Sequence, residues 1–204
     1  MAADTELREL APPAFTHAVP ALLQVYEAAM RPPPEQLPGR AGVMNGHAHH
    51  PGFRSVVALR EGSPVGFAYG FRGGHGQWWY DTVRAAMLAN GRARQVRRYL
   101  TDPWEVAEVH VHPRAQNQGV GRRMRHALCR GLPESSAVLS TRSGPSAARH
   151  LYRSCGFTEV LEDFSFPGSP GQPFSIMAAR LPLTGSDDRR SPGRSAWWRW
   201  TGSR

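Results

Sequence analysis

A chain of 204 residues suits one domain with a buried core. Its net charge of +9 and isoelectric point near 10.8 favour an anionic partner, which could be nucleic acid, a membrane surface or a phosphate-rich small molecule. Two cysteines, Cys129 and Cys155, argue against a disulfide framework; no apolar run reaches membrane-spanning length, and the polar opening MAADTELREL argues against a secretory signal, so a cytoplasmic protein is expected. All 25 basic residues are arginines. Residues 183–204 hold five of them against two aspartates, which leaves +6 for residues 1–182.

In chain order, residues 5–10 are expected as a first strand. Phe15, Val19, Leu22, Tyr26 and Met30 keep a helical period, opened by Pro12-Pro13 and stopped by Pro32-Pro33-Pro34. Residues 34–52 predict a second helix followed by a loop that carries His47, His49 and His50. A metal site at these histidines, joined by His110 and His112, is the less favoured reading, because no cysteine or carboxylate completes a zinc spacing. Arg54 to Arg60 and Val65 to Arg72 flank Glu61-Gly62-Ser63-Pro64 and read as a hairpin. Residues 73–104 then interrupt the order with Trp78-Trp79-Tyr80, a helix over Asp81 to Ala89 and an arginine-rich stretch; a lid-like insertion is expected.

Trp104 to His112 reads as the central strand, ended by Pro113. Simple alternation puts Glu108, His110 and His112 on one face and Glu105, Ala107, Val109 and Val111 on the other. The loop Gln116-Asn117-Gln118-Gly119-Val120-Gly121 leads into a helix in which Val120, Met124 and Leu128 recur at helical spacing, with Arg122 on its first turn. Glycines at the mouth of a helix admit a bulky ligand, and the free N–H groups, the helix dipole and the arginines suit a phosphate or diphosphate. A Walker loop is excluded by the absence of lysine, and a dinucleotide fingerprint by the lack of a third glycine near Met124. Further on come a strand at Ala137 to Thr141, a helix from Pro145 to Cys155 that buries Ala148, Leu151 and Cys155, and strands at Phe157 to Leu161 and Phe174 to Leu181, joined by a loop over Pro167 to Pro173. Residues 183–204 lack a period and are expected to be disordered; their arginines and tryptophans could also dock on an anionic membrane or nucleic acid.

The Q-x-x-G-x-G pattern at Gln116, Gly119 and Gly121, followed by Ala148-Arg149-His150-Leu151-Tyr152-Arg153-Ser154-Cys155-Gly156-Phe157, resembles the acetyl-CoA loop and the A-x-x-L-Y-x-x-x-G-F segment of the GNAT superfamily of N-acetyltransferases. The resemblance implies an α/β fold: a mixed, mostly antiparallel sheet with helices on both faces, in a domain over residues 1–182. It implies that the parallel strands splay at the acetyl-CoA site, with Val109 and Val111 bonding the pantetheine arm through their main chain and residues 116–122, namely Gln116, Asn117, Gln118, Gly119, Val120, Gly121 and Arg122, holding the diphosphate. No metal is implied. Tyr152 would be the acid that protonates the leaving thiolate, and Glu105 the base, with Glu108 as its rival and His110 third. Ser140 stands where some members carry a glutamate base. Pro145 replaces a frequent asparagine, with Ser143 or Ser146 as substitutes. The expected reaction is acetyl transfer to a primary amine, preferably of a small molecule because a lid would hinder a polypeptide; a protein amine and a non-catalytic acyl-CoA-binding module are the alternatives. A homodimer is compatible with this reading, and nucleic acid is not expected except through the tail.

Overall fold

The computed structural model describes residues 5–167 and 171–183. The tail, apart from Leu183, and the centre of the loop before the last strand lie outside the described residues.

Strand β1 (Glu6–Leu10) leads into helix α1 (Pro12–Met30), which buries Phe15, Val19, Leu22, Val25 and Tyr26 along one stripe. Pro12 suits the first helical turn, where its missing N–H leaves no bond unmade, and the helix stops at Arg31, which turns left-handed before three prolines. Helix α2 (Leu37–His47) returns across α1 and buries Met44. Strands β2 (Arg54–Arg60) and β3 (Ser63–Arg72) meet at a tighter turn than the sequence suggested: Glu61 and Gly62, with φ of 48° and 76°, form a two-residue loop with Arg60 opposite Ser63. The insertion contains helices α3 (Trp78–Ala89) and α4 (Ala93–Tyr99). Strand β4 (Pro103–Val111), helix α5 (Val120–Cys129), strand β5 (Ser136–Arg142), helix α6 (Ala147–Arg153) and strands β6 (Thr158–Phe164) and β7 (Phe174–Arg180) complete the order.

One seven-stranded sheet runs β1-β2-β3-β4-β5-β7-β6. Every adjacent pair is antiparallel except β4 and β5. That parallel pair is short: Pro103, Trp104 and Glu105 face Ser136, Ala137 and Val138, and the pairing ends there. Beyond it β4 stays paired with β3 as far as Val111, and β5 stays paired with β7 as far as Arg142. The sheet therefore forks at Glu105.

Helices α5 and α6 cover one face, where Trp104, Val106, Met124, Leu128, Tyr152 and Phe157 form a buried cluster. The other face is covered in two blocks. Helices α1 and α2 bury Phe15, Leu22, Met44, Phe67, Tyr69 and Phe71 over the first half of the sheet. The inserted α3 and α4 bury Tyr80, Val83, Met87 and Val96 against Val138, Ile176 and Ala178 over the second half.

The alternation expected along β4 does not hold. Tyr69 faces Glu108 while the next residue, Gly70, faces Val106, so Ala107 is an extra residue in β4 and the strand bulges. Glu105, Glu108 and His110 oppose Phe71, Tyr69 and Phe67 and share the α1–α2 face, whereas Val109 and Val111 join Trp104 and Val106 on the α5 face. Glu105 and Glu108 are on one face, not two. Gly70 permits this: a Cβ there would lie 2.1 Å from the Glu105 carbonyl oxygen and 2.4 Å from the Trp104 indole. Helix α6 is also shorter than expected, and Ala148 is exposed; Tyr152 is its buried residue.

Candidate active site

The loop after β4 is shaped by left-handed residues. Asn117 and Gly119 have φ of 58° and 74°, and the chain turns through them into α5. The Gln118 side chain accepts from the Arg60 guanidinium and donates to the Arg114 carbonyl at 3.1 Å, and the Gln116 amide donates to the Val111 carbonyl at 2.9 Å. These bonds fix the loop from within. No side chain caps α5, and among the described residues the N–H groups of Gly119, Val120, Gly121 and Arg122 have no acceptor. Val120 is buried, so its contribution is main-chain, while Arg122 is exposed on the first turn. A Cβ on Gly119 would meet nothing within 4 Å, which leaves the cradle open to solvent; one on Gly121 would touch Val111 and Leu151 at 3.6 and 3.7 Å. Residues 116–122 are thus brought together at one end of the fork, with Val109 and Val111 on its wall. The fit to an anionic group is good: converging N–H donors at a helix N-terminus with arginines beside them.

At the fork's apex stands Glu105, 5% exposed, with Oε2 buried and without a hydrogen-bond partner among the described residues. Burial, and next to it the like charge of Glu108, push its carboxyl up to about 8. Glu108 is as deeply buried but is answered. Its side chain pairs with the Arg40 guanidinium at 3.0 Å and with the His110 ring. Burial acts to raise Glu108, but His110 and Arg40 outweigh it and hold the group below the ordinary carboxylate range. Two carboxylates on one wall therefore differ in state: Glu108 is a fixed anion, and Glu105 is poised to exchange a proton near neutrality.

Sequence reasoning missed the shell around them. Arg40 on α2 also donates to the Tyr26 hydroxyl at 3.2 Å and lies over that ring at 4.6 Å. His47 does not lie in the loop expected after α2 but ends the helix; its Nδ1 lies 3.1 Å from the Tyr69 hydroxyl, and burial followed by the neighbouring His50 lowers it to about 4, so it is neutral at pH 7. No group of three His, Cys, Asp or Glu side chains placed to hold a metal ion occurs among the described residues. Across the fork, Trp79 of α3 donates its indole N–H to the Ser140 hydroxyl at 3.3 Å, so the insertion borders the same cleft.

Tyr152 approaches from the α5–α6 side. It packs against Phe157 and is 8% exposed. Burial pushes its phenol up to about 12, Arg125 acts in the opposite sense, and the field of Glu108 reaches it through the fork. Of the substitutes considered for the missing asparagine, Ser146 caps α6 by accepting from the Arg149 N–H at 3.1 Å, and the Ser143 hydroxyl lies 3.3 Å from that of Ser175. The site thus unites a helix N-terminus with free N–H groups, a slot of unpaired strand, a titratable carboxyl on one side of the sheet and a protonated phenol on the other.

The profile of the Acetyltransferase (GNAT) family matches residues 19–157. A GCN5-like protein acetyltransferase of Mycobacterium tuberculosis, Rv2170, is 35% identical over 133 residues, a match spanning 63% of this chain and 64% of that relative. The ribosomal-protein-S18-alanine N-acetyltransferase of Escherichia coli superposes with a TM-score of 0.58 at 18% identity, covering 90% of this chain and 98% of that one. The yncA protein of Salmonella typhimurium, whose structure holds its cofactor acetyl-CoA, gives a TM-score of 0.58 at 18% identity over 95% and 100% of the two chains. The chain belongs to the GNAT acetyltransferase family. Among the described residues no helix is long and apolar enough to cross a membrane.

Proposed function

We propose that the protein transfers an acetyl group from acetyl-CoA to a primary amine that enters from the α1–α2 and α3 side of the fork, with Glu105 as general base. The observation that carries this reading is the buried carboxyl of Glu105, whose Oε2 has no hydrogen-bond partner among the described residues, at the point where the parallel strands part. Acetyl-CoA supplies a carbonyl activated by a thiol leaving group. The chain supplies the rest. N–H groups of residues 119–122 hold the diphosphate, and the main chain of Val109 and Val111, past the last pair between β4 and β5, receives the thioester arm as a strand does an added partner, with the Val111 carbonyl already accepting from Gln116.

An amine attacks only when neutral. An arriving ammonium favours the ionised form of Glu105, whose proton goes to solvent; the carboxylate takes one proton from the ammonium, passes it to solvent, and takes the second as the now neutral nitrogen bonds to the carbonyl carbon. The C–S bond breaks with its electron pair on sulfur, and Tyr152, protonated throughout the working range, presents its O–H to that charge. Glu108, held by Arg40 and His110, stays ionised beside Glu105 without titrating in the working range.

The enclosing side chains Tyr26, Arg40, His47 and Trp79 favour a small amine. A protein amine is the second reading, supported by the 35% identity to a relative named as a protein acetyltransferase. The test is release of free CoA with a panel of amines, amino acids, aminoglycosides, lysine peptides and peptide N-termini. Turnover on small amines supports the first reading, turnover confined to peptides supports the second, and no turnover with acetyl-CoA bound points to the non-catalytic module.

A further inference from the structure

Arg125 lies in the second turn of α5 on the stripe Gly121, Arg125, Cys129. Gly121 sets the direction of that stripe, because the Cβ it lacks would touch Val111 of β4 and Leu151 of α6. Arg125 therefore points into the seam between α5 and α6, which also holds Tyr152. It is 3% exposed, and both Nε and Nη1 are buried without an acceptor among the described residues. The ionisable groups that reach it are Cys129 and Arg122 of its own helix and Tyr152 of α6, with no carboxylate among them. Arg54 of β2 acts on Cys129, and Glu108 of β4 acts on Tyr152 through the fork. A buried guanidinium with unclaimed donors and no counter-charge weakens the fold, since desolvating a cation is costly unless an anion answers it.

An anion does form beside it in the proposed reaction. Burial raises the Tyr152 phenol well above a thiol's ordinary value near 8.5, a gap that makes it a poor proton donor to a thiolate, and Arg125 is the group that acts against that rise. A fixed cation behind the phenol narrows that gap. We propose that Arg125, buried in the seam that holds Tyr152, is a positioning residue for the leaving group: acting through Tyr152, its guanidinium offsets the negative charge that sulfur gains as the C–S bond breaks. The inference rests on the acetyl-transfer reading of the fork. In electron terms the pair of the broken bond stays on sulfur and the phenol proton moves to it; of the two protons that Glu105 takes from the nitrogen, one is released to solvent and the other is returned through solvent to the phenolate.

The test compares wild type, Arg125→Met and Arg125→Lys. Binding of free CoA and of desulfo-CoA, which lacks the sulfur, is measured by calorimetry, and the thiol of bound CoA is titrated by its ultraviolet thiolate absorbance. In wild type the bound thiol should titrate below its free value. Arg125→Met should raise that titration by about one pH unit, a tenfold loss of thiolate stabilisation, leave desulfo-CoA affinity unchanged, and unfold at a higher temperature because an unpaired buried cation is gone. Arg125→Lys should restore most of the shift. Equal loss of CoA and desulfo-CoA affinity, or an unchanged thiol titration, would overturn the proposal. Failure of wild type to bind either ligand would instead sink the reading of the fork on which it rests.

Discussion

Replacing Glu105 by glutamine tests the fork's chemistry through two independent signs. The substitution keeps shape and volume but removes the charge. In the folded chain the carboxyl lies near 8 against an ordinary 4.5, so between those values the native state binds more proton than the unfolded one. Wild-type stability from this group is then unpenalised below pH 4.5, falls as pH rises, and reaches its full loss above pH 8. At about 1.4 kcal/mol per pH unit the ceiling is about 5 kcal/mol, reduced by whatever relaxation and coupling to Glu108 the site allows. Glu105→Gln should therefore unfold at the same temperature as wild type near pH 5 and at a higher one near pH 9. Turnover should move the other way. CoA release should drop about 10²- to 10⁴-fold, and the rise in wild-type kcat/KM through pH 8 should vanish. Thermal unfolding at three pH values and a pH–rate profile suffice. A stability difference that does not change with pH, or a variant with wild-type turnover, refutes the assignment.

Tyr152→Phe should lower kcat about 10²-fold with acetyl-CoA affinity intact by calorimetry, since the phenol serves the departing sulfur and not the diphosphate. Gly70→Ala should destabilise the fold by about 3 kcal/mol or more, because its methyl would meet strand backbone and the Trp104 indole, neither of which can yield; thermal denaturation reads it. Arg40→Met should cost about 1–3 kcal/mol at pH 7 by leaving buried Glu108 with His110 alone. Glu108 is held low in the folded chain, so its stabilising contribution is present above pH 4.5 and is lost as pH falls through its folded value; the variant's deficit should accordingly shrink in acid, which denaturant titrations at pH 7 and pH 4 would show.

Most of the scaffold is legible in the chain because its signals are local. The apolar stripe of α1, the Glu-Gly turn and the Gln116 to Gly121 loop each announce themselves within a few residues. What the sequence hides is set by partners far along it. The bulge at Ala107 depends on Gly70 in the opposite strand, so strict alternation separated two carboxylates that the fold places together. Arg40 sits in a weakly amphipathic, glycine-rich helix, and nothing local says that it will reach across 68 positions to Glu108. Arg125 reads as one more arginine of a basic helix until α6 is laid against it. Histidines 47 and 50 pack at a tilt against Tyr69 and Phe71, which lie on a distant strand.

The two halves of the sheet are stitched to each other by the three residue pairs between Pro103 and Glu105 on one strand and Ser136 and Val138 on the other. Anything seated along the remaining edge works as an extra thread in that seam. Donor affinity and resistance to unfolding then become one property seen from two sides. A heat-challenge screen would rank acyl carriers by their grip before any acceptor had been identified.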